Sequence, residues 1–187
     1  MSKKIGIYPG TFDPLHIGHL AFAEDTLSAC GLDKVIFLPE ARPRHKPHVS
    51  ELIMRTQHIK HAIADNPFLG VFHPTTDRFT IKETLPEIQH ALQQDGVTFL
   101  VGSDVIKTIH SWPDVEILLN YAHIAVGMRY SESKEEVETI IENLQNLYSV
   151  RFSHTIIYTH HTDISSTSIR NSRTKGLLLP EKYDNLQ

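Results

Sequence analysis

Residues 5–19 read Ile5-Gly6-Ile7-Tyr8-Pro9-Gly10-Thr11-Phe12-Asp13-Pro14-Leu15-His16-Ile17-Gly18-His19. The apolar run over 5–8 has the length of a short strand, and Pro9-Gly10 is a turn. A helix is predicted over 16–29, with Leu20, Ala23 and Leu27 on one face. A strand feeding a glycine-containing turn and a helix start is one unit of an alternating α/β fold. It is also a recipe for holding an anion, because first-turn N–H groups lack intrahelical partners and the helix dipole adds favourable potential. His16 and His19, three apart, are expected on one helix face, one turn up. Gly18 between them has no side chain to hold a phosphate away. Two imidazoles there supply donors to phosphate oxygens and to charge building on a leaving pyrophosphate. A lone histidine pair is also compatible with a capped helix end or part of a metal site. No third ligand at metal-binding spacing accompanies this one, so no metal site is expected.

Outward from this unit the alternation continues. Strands are predicted over 35–38, 68–72, 97–101, 124–126 and 155–158. Helices are predicted from an N-cap at Ser50 to about residue 65, and over 80–94. A broken helical stretch spans 104–120, interrupted at Pro113. Ser133-Lys134-Glu135-Glu136 has capping-box spacing, after which Val137, Ile140, Ile141, Leu144 and Leu147 recur at helical period. A final helix is predicted over 166–175, ending at Gly176. Strand–helix alternation with continuously apolar strands implies a doubly wound, Rossmann-like parallel sheet with helices on both faces. Ligands in such folds sit at the carboxyl ends of the strands, where strand order reverses.

The chain has 187 residues, of which 40% are apolar, and a single domain over 1–187 is expected. A net charge of −4 argues against a broad nucleic-acid or membrane surface, since both need an excess of Lys and Arg. Cys30 is the only cysteine, which excludes an internal disulfide framework and fits a reducing, cytoplasmic setting. It is expected as a small buried residue at a helix end. No apolar run approaches a membrane span, and the apolar segment after the basic start is too short for a signal-peptide core.

After the last predicted strand come Asp163-Ile164-Ser165-Ser166-Thr167-Ser168-Ile169-Arg170. Clustered hydroxyls at a helix start normally cap it, but four of them followed by arginine exceed what a cap requires. The extra donors suit phosphate oxygens, and Arg170 suits a triphosphate. Residues 10–19 resemble the T/HxGH signature of the nucleotidylyltransferase superfamily, and 163–170 resemble its ISSTxIR motif. Both motifs stand at strand-to-helix junctions and are expected to converge at one sheet edge.

The middle of the chain resembles bacterial nicotinate-mononucleotide adenylyltransferases, so the likeness covers nearly the whole chain. Leu38-Pro39 with Pro43-Arg44-His45-Lys46 is similar to that family's LP…PPHK segment, which implies Lys46 as a moving cation over the phosphates. Phe99-Leu100-Val101-Gly102-Ser103-Asp104 resembles its strand ending in G-[AS]-D, which implies Asp104 at the adenosine ribose. Trp112 falls where the family stacks a tryptophan on the pyridine ring. Arg78-Phe79-Thr80 aligns with its SYT segment, whose threonine reads the nicotinate, and Leu179-Pro180-Glu181-Lys182-Tyr183 resembles its closing element. The sequence departs from the family at Arg44, Arg78, Phe79 and Pro113, all in the pyridine-nucleotide region. Each residue also has a plainer role: Asp104 as a helix cap, Thr80 as a helix start, Trp112 as a core aromatic.

The resemblance implies transfer of an adenylyl group from ATP to nicotinate mononucleotide. His16, His19, Lys46 and Arg170 are the expected catalytic contacts to the phosphates. Gly10, Thr11, Phe12, Gly18, Gly102, Asp104, Ser165, Ser166 and Thr167 are expected around the nucleotide, and Arg78, Thr80 and Trp112 around the acceptor. Mg²⁺ is expected to enter with ATP. ATP and a pyridine mononucleotide are the expected partners, with no nucleic acid and no membrane, and self-association is left open. Nicotinamide mononucleotide and phosphopantetheine are the alternative acceptors. A non-catalytic nucleotide-binding regulator is the alternative from another class.

Overall fold

The computed structural model describes residues 4–43, 48–92, 97–128 and 132–159. Six strands form one parallel sheet in the order β3-β2-β1-β4-β5-β6. They are β1 (Ile5–Gly10), β2 (Lys34–Pro39), β3 (Leu69–Val71), β4 (Thr98–Gly102), β5 (His123–Met128) and β6 (His154–Tyr158). The register of β1 on β2 runs from Ile5 opposite Lys34 to Gly10 opposite Pro39, so both strands end level at the carboxyl edge. Strand order reverses between β1 and β4, which places the crevice of this fold at those two strand ends.

Alternation along the strands explains the two layers. Ile36 and Leu38 of β2 face one core with Phe99, Ile124 and Val126, whereas Val35 and Phe37 face the other with Leu100, Ala125 and Ile157. Helices α1 (Ile17–Cys30) and α2 (Leu52–Ala62) cover the second face through Leu20, Phe22, Ala23 and Ile59. The first face is covered by α3 (Ile81–Leu92), α4 (Ser103–Ile106), a 3₁₀ turn at Ile109–Ser111, α5 (Val115–Tyr121) and α6 (Lys134–Tyr148). The expected doubly wound parallel sheet is therefore the observed one. Among the described residues, no helix is long and apolar enough to cross a membrane.

Local differences have local causes. Helix α2 begins after Glu51, not at Ser50, because Ser50 is occupied on both sides. Its N–H donates to Asp13 Oδ2 at 3.0 Å and its carbonyl accepts from Arg55. Ser133 does cap α6, accepting the Glu136 N–H at 3.4 Å. Cys30 ends α1 half-buried, with burial pushing its thiol pKa up. The predicted helix over 166–175 lies outside the described residues.

Candidate active site

The segment between β1 and α1 is built on Phe12, which adopts φ 50° and is 2% exposed. Its ring folds back over Gly10, where a Cβ would lie 2.7 Å from the ring's Cζ. The ring then packs on Tyr8 and Phe37 at centroid distances of 5.3 Å each. Gly10 therefore makes room for an aromatic side chain, and Phe12 can offer a nucleotide only main-chain groups.

His16 is not in the helix, as expected from spacing, but precedes it as the N-cap with extended backbone. Its N–H donates to Nδ1 of His19 at 3.2 Å, the contact a Glu or Gln makes in a capping box. The acceptor role of Nδ1 leaves the proton of neutral His19 on Nε2, as a donor. The two rings stack at 3.7 Å with planes 31° apart, and His19 also meets the Phe12 ring edge at 5.2 Å. Capping and anion binding are thus compatible here. One nitrogen of His19 orders the helix start through the His16 N–H. Gly18 follows in the first turn and is half-buried.

At the end of β4, Gly102 precedes α4 and Asp104 stands in its first turn. Asp104 Oδ1 accepts the Val105 N–H at 3.0 Å and lies 2.5 Å from where a Gly102 Cβ would be. Gly102 thus admits the carboxylate, which is exposed at the crevice. Burial and the nearby Asp104 charge together push the Tyr8 phenol pKa well above its ordinary value, so Tyr8 stays neutral.

Trp112 is half-buried against Phe79 and Phe99, at 6.1 and 6.4 Å between ring centroids. Phe79 is itself a core residue, so the hydroxyl lost by having phenylalanine there is a group that would have been buried. Thr80 precedes α3, and its hydroxyl donates to Glu83 Oε2 at 3.2 Å while its N–H donates to Thr84 Oγ1 at 2.9 Å. Its helix-start role is therefore realised. Arg78 is exposed and donates from Nε to the Arg42 carbonyl at 3.1 Å. His58 and His61 are exposed on α2. Lys46, Ser165, Ser166, Thr167 and Arg170 lie outside the described residues. Among the described residues, no three His, Cys, Asp or Glu side chains come together to hold a metal ion.

One residue was missed from the sequence. Arg55 is 1% exposed, and its guanidinium donates to four backbone carbonyls: Thr11 at 2.7 Å, Glu40 at 2.8 Å, Ala41 at 3.4 Å and Ser50 at 2.8 Å. Burial lowers its pKa while Asp13 and Glu40 oppose the shift. The available signal was an arginine four and eight residues before Ile59 and Ile63, on the apolar stripe of α2.

The cytidylyltransferase-like family model matches residues 7–172. A protein of Desulfitobacterium hafniense named "Probable nicotinate-nucleotide adenylyltransferase" is 33% identical, over 96% of this chain and 90% of its own. A protein of the same name from Herpetosiphon aurantiacus is 37% identical over 97% and 90%. The fold is similar to a nicotinic acid mononucleotide adenylyltransferase of Plasmodium falciparum complexed with NaAD. That likeness has a TM-score of 0.74 and 18% identity, over 94% of this chain and 86% of that one.

Proposed function

The chain belongs to the cytidylyltransferase-like family, and from that premise we propose that it joins ATP and nicotinate mononucleotide into nicotinate adenine dinucleotide, releasing pyrophosphate. The observation that carries this reading is the His16–His19 pair seated at the N-terminus of α1, beside the β1/β4 reversal. Relatives matching nearly the whole chain are named for the same activity. In the proposed step a phosphate oxygen of the mononucleotide attacks the α-phosphorus of ATP. A P–O bond forms, the bond to the β-phosphate oxygen breaks, and pyrophosphate leaves with the electron pair. The acceptor is already a nucleophile, so positioning and charge stabilisation carry the catalysis.

His19 Nε2–H and His16 are proposed to meet the phosphates, joined by Lys46 and Arg170. Mg²⁺ enters as part of the ATP substrate; a hard cation on phosphate oxygens and water needs no protein carboxylate cage. Thr11, Gly18, Ser165, Ser166 and Thr167 supply donors around the nucleotide, and Asp104 accepts from the ribose hydroxyls. Trp112 supplies an aromatic face for the pyridine ring. Thr80 must release Glu83 before its hydroxyl can donate to a carboxylate, so Arg78 is the better donor to nicotinate. The cytoplasm is the proposed setting.

Pyrophosphate release with ATP and, in turn, nicotinate mononucleotide, nicotinamide mononucleotide and phosphopantetheine tests the reaction. Turnover highest with nicotinate mononucleotide is expected. ATP binding without turnover on any acceptor would replace the enzyme with a regulator. Replacing Arg78 by alanine should lower the kcat/KM ratio of acid over amide substrate by ~10-fold, the worth of one charge-assisted hydrogen bond. An unchanged ratio removes Arg78 from the acceptor site.

A further inference from the structure

Burying a guanidinium is costly unless its donors are satisfied and its charge compensated. An arginine that only anchored α2 would need one neighbouring loop. Arg55 instead binds three segments at the carboxyl edge, all through main-chain carbonyls. Nη1 takes Thr11 beyond β1, Nη2 takes Glu40 and Ala41 beyond β2, and Nε takes Ser50 before α2. Asp13 closes the circuit by accepting the Ser50 N–H. The Glu40 side chain carries the link onward: Oε1 accepts the Phe79 N–H at 3.1 Å. Phe79 packs on Trp112 and precedes Thr80. A planar fork therefore joins the loop leading to His16 with the segment beside Trp112.

We propose that Arg55, acting through Glu40, is a positioning residue that sets the triphosphate loop and the acceptor side of the crevice at the separation in-line attack requires. The inference rests on the adenylyl transfer proposed above. Reacting atoms must approach to ~3–3.5 Å, and a displacement of ~1 Å costs ~100-fold in rate. Lysine at position 55 keeps the charge but cannot span three segments with a rigid fork.

The test measures kcat per ATP-binding site, counted by calorimetric titration, together with both KM values. Arg55→Lys should lower kcat per site by ~10–100-fold while KM for ATP stays within ~3-fold. Glu40→Ala leaves the backbone carbonyl that Arg55 uses but removes the Phe79 contact and a carboxylate charge near Arg55, and should lower kcat by ~10-fold. Glu40→Gln retains a side-chain oxygen for that N–H and should restore most of the loss. A Glu40→Ala kcat per site within ~2-fold of wild type overturns the proposal, whatever Arg55→Lys does, because the link passes through Glu40. The same holds for variants that lose thermal stability alone. If Arg55→Lys does not fold, the two Glu40 variants decide. Absence of pyrophosphate release by the wild type with every acceptor would remove the reaction itself, an outcome separate from the role of Arg55.

Discussion

His19 has one nitrogen in the helix start and the other proposed for the phosphates, and that division sets what its loss should do. Nδ1 receives the His16 N–H, so removing the ring costs the helix start about 0.5–2 kcal/mol, the usual worth of a cap. Nε2–H is the proposed contact to the leaving phosphates, where one donor contributes ~10²–10³ in kcat. His19→Ala should therefore melt a few degrees lower yet remain folded by circular dichroism, with turnover reduced at least ~100-fold. Near-wild-type turnover would remove His19 from catalysis. Gly102 tests the proposed contact of Asp104 to the ribose in the same way. A Cβ there would meet Asp104 Oδ1 at 2.5 Å, and the exposed carboxylate can swing aside without disturbing the core. Gly102→Ala should thus raise KM for ATP by ~10-fold with little change in melting temperature. An unaltered KM would assign Asp104 to helix structure alone.

At the level of elements, α1 is held on the sheet by a fit between an aromatic ring and a glycine. A Cβ on Gly127 of β5 would lie 2.8, 2.9 and 3.0 Å from three ring atoms of Phe22. Because Phe22 is buried, the ring has little room to yield. Gly127→Ala should cost about 1–3 kcal/mol in chemical denaturation, as overpacking does. Adding Phe22→Leu should recover part of it; strictly additive losses would show that the two do not touch in solution. Surface contacts between the post-β2 and post-β3 segments matter less to stability. The Arg42–Asp77 pair at 3.3 Å is exposed on both sides, the situation in which ion pairs contribute little.

For the molecule as a whole, acid should destabilise through histidines whose pKa the fold lowers. His123 bridges Ser153 Oγ and Thr155 Oγ1 at 2.9 Å each, and burial followed by the nearby His154 lowers its pKa. His73 is lowered by burial and by Lys60. For both, the unfolded chain takes up a proton near the ordinary value of 6.5 while the folded protein resists it. Unfolding therefore binds protons, and stability is full above that value and falls as pH drops below it. Melting temperature should decline from pH 7 to 5, and His123→Gln should flatten the decline. A slope unchanged by the substitution would place the acid sensitivity in other groups.

The sequence by itself determined the order of strands and helices, the parallel sheet and the strand–turn–helix unit at residues 5–30. Those features follow from hydrophobic period and turn chemistry, which act between near neighbours. The two histidines were legible as a pair because their spacing is local, yet the stacking of His16 on His19 and the hydrogen bond between them were not. Only the tertiary structure decided that Gly10 seats Phe12, that Gly102 admits Asp104, and that Ser50 is drawn away from capping α2. It alone revealed that Arg55 gathers segments from three places in the chain. The capture of Ser50 by Asp13 and the reach of Arg55 depend on groups far apart in sequence, and the placements beside Gly10 and Gly102, though only two residues long, depend on backbone angles and packing that no residue pattern encodes.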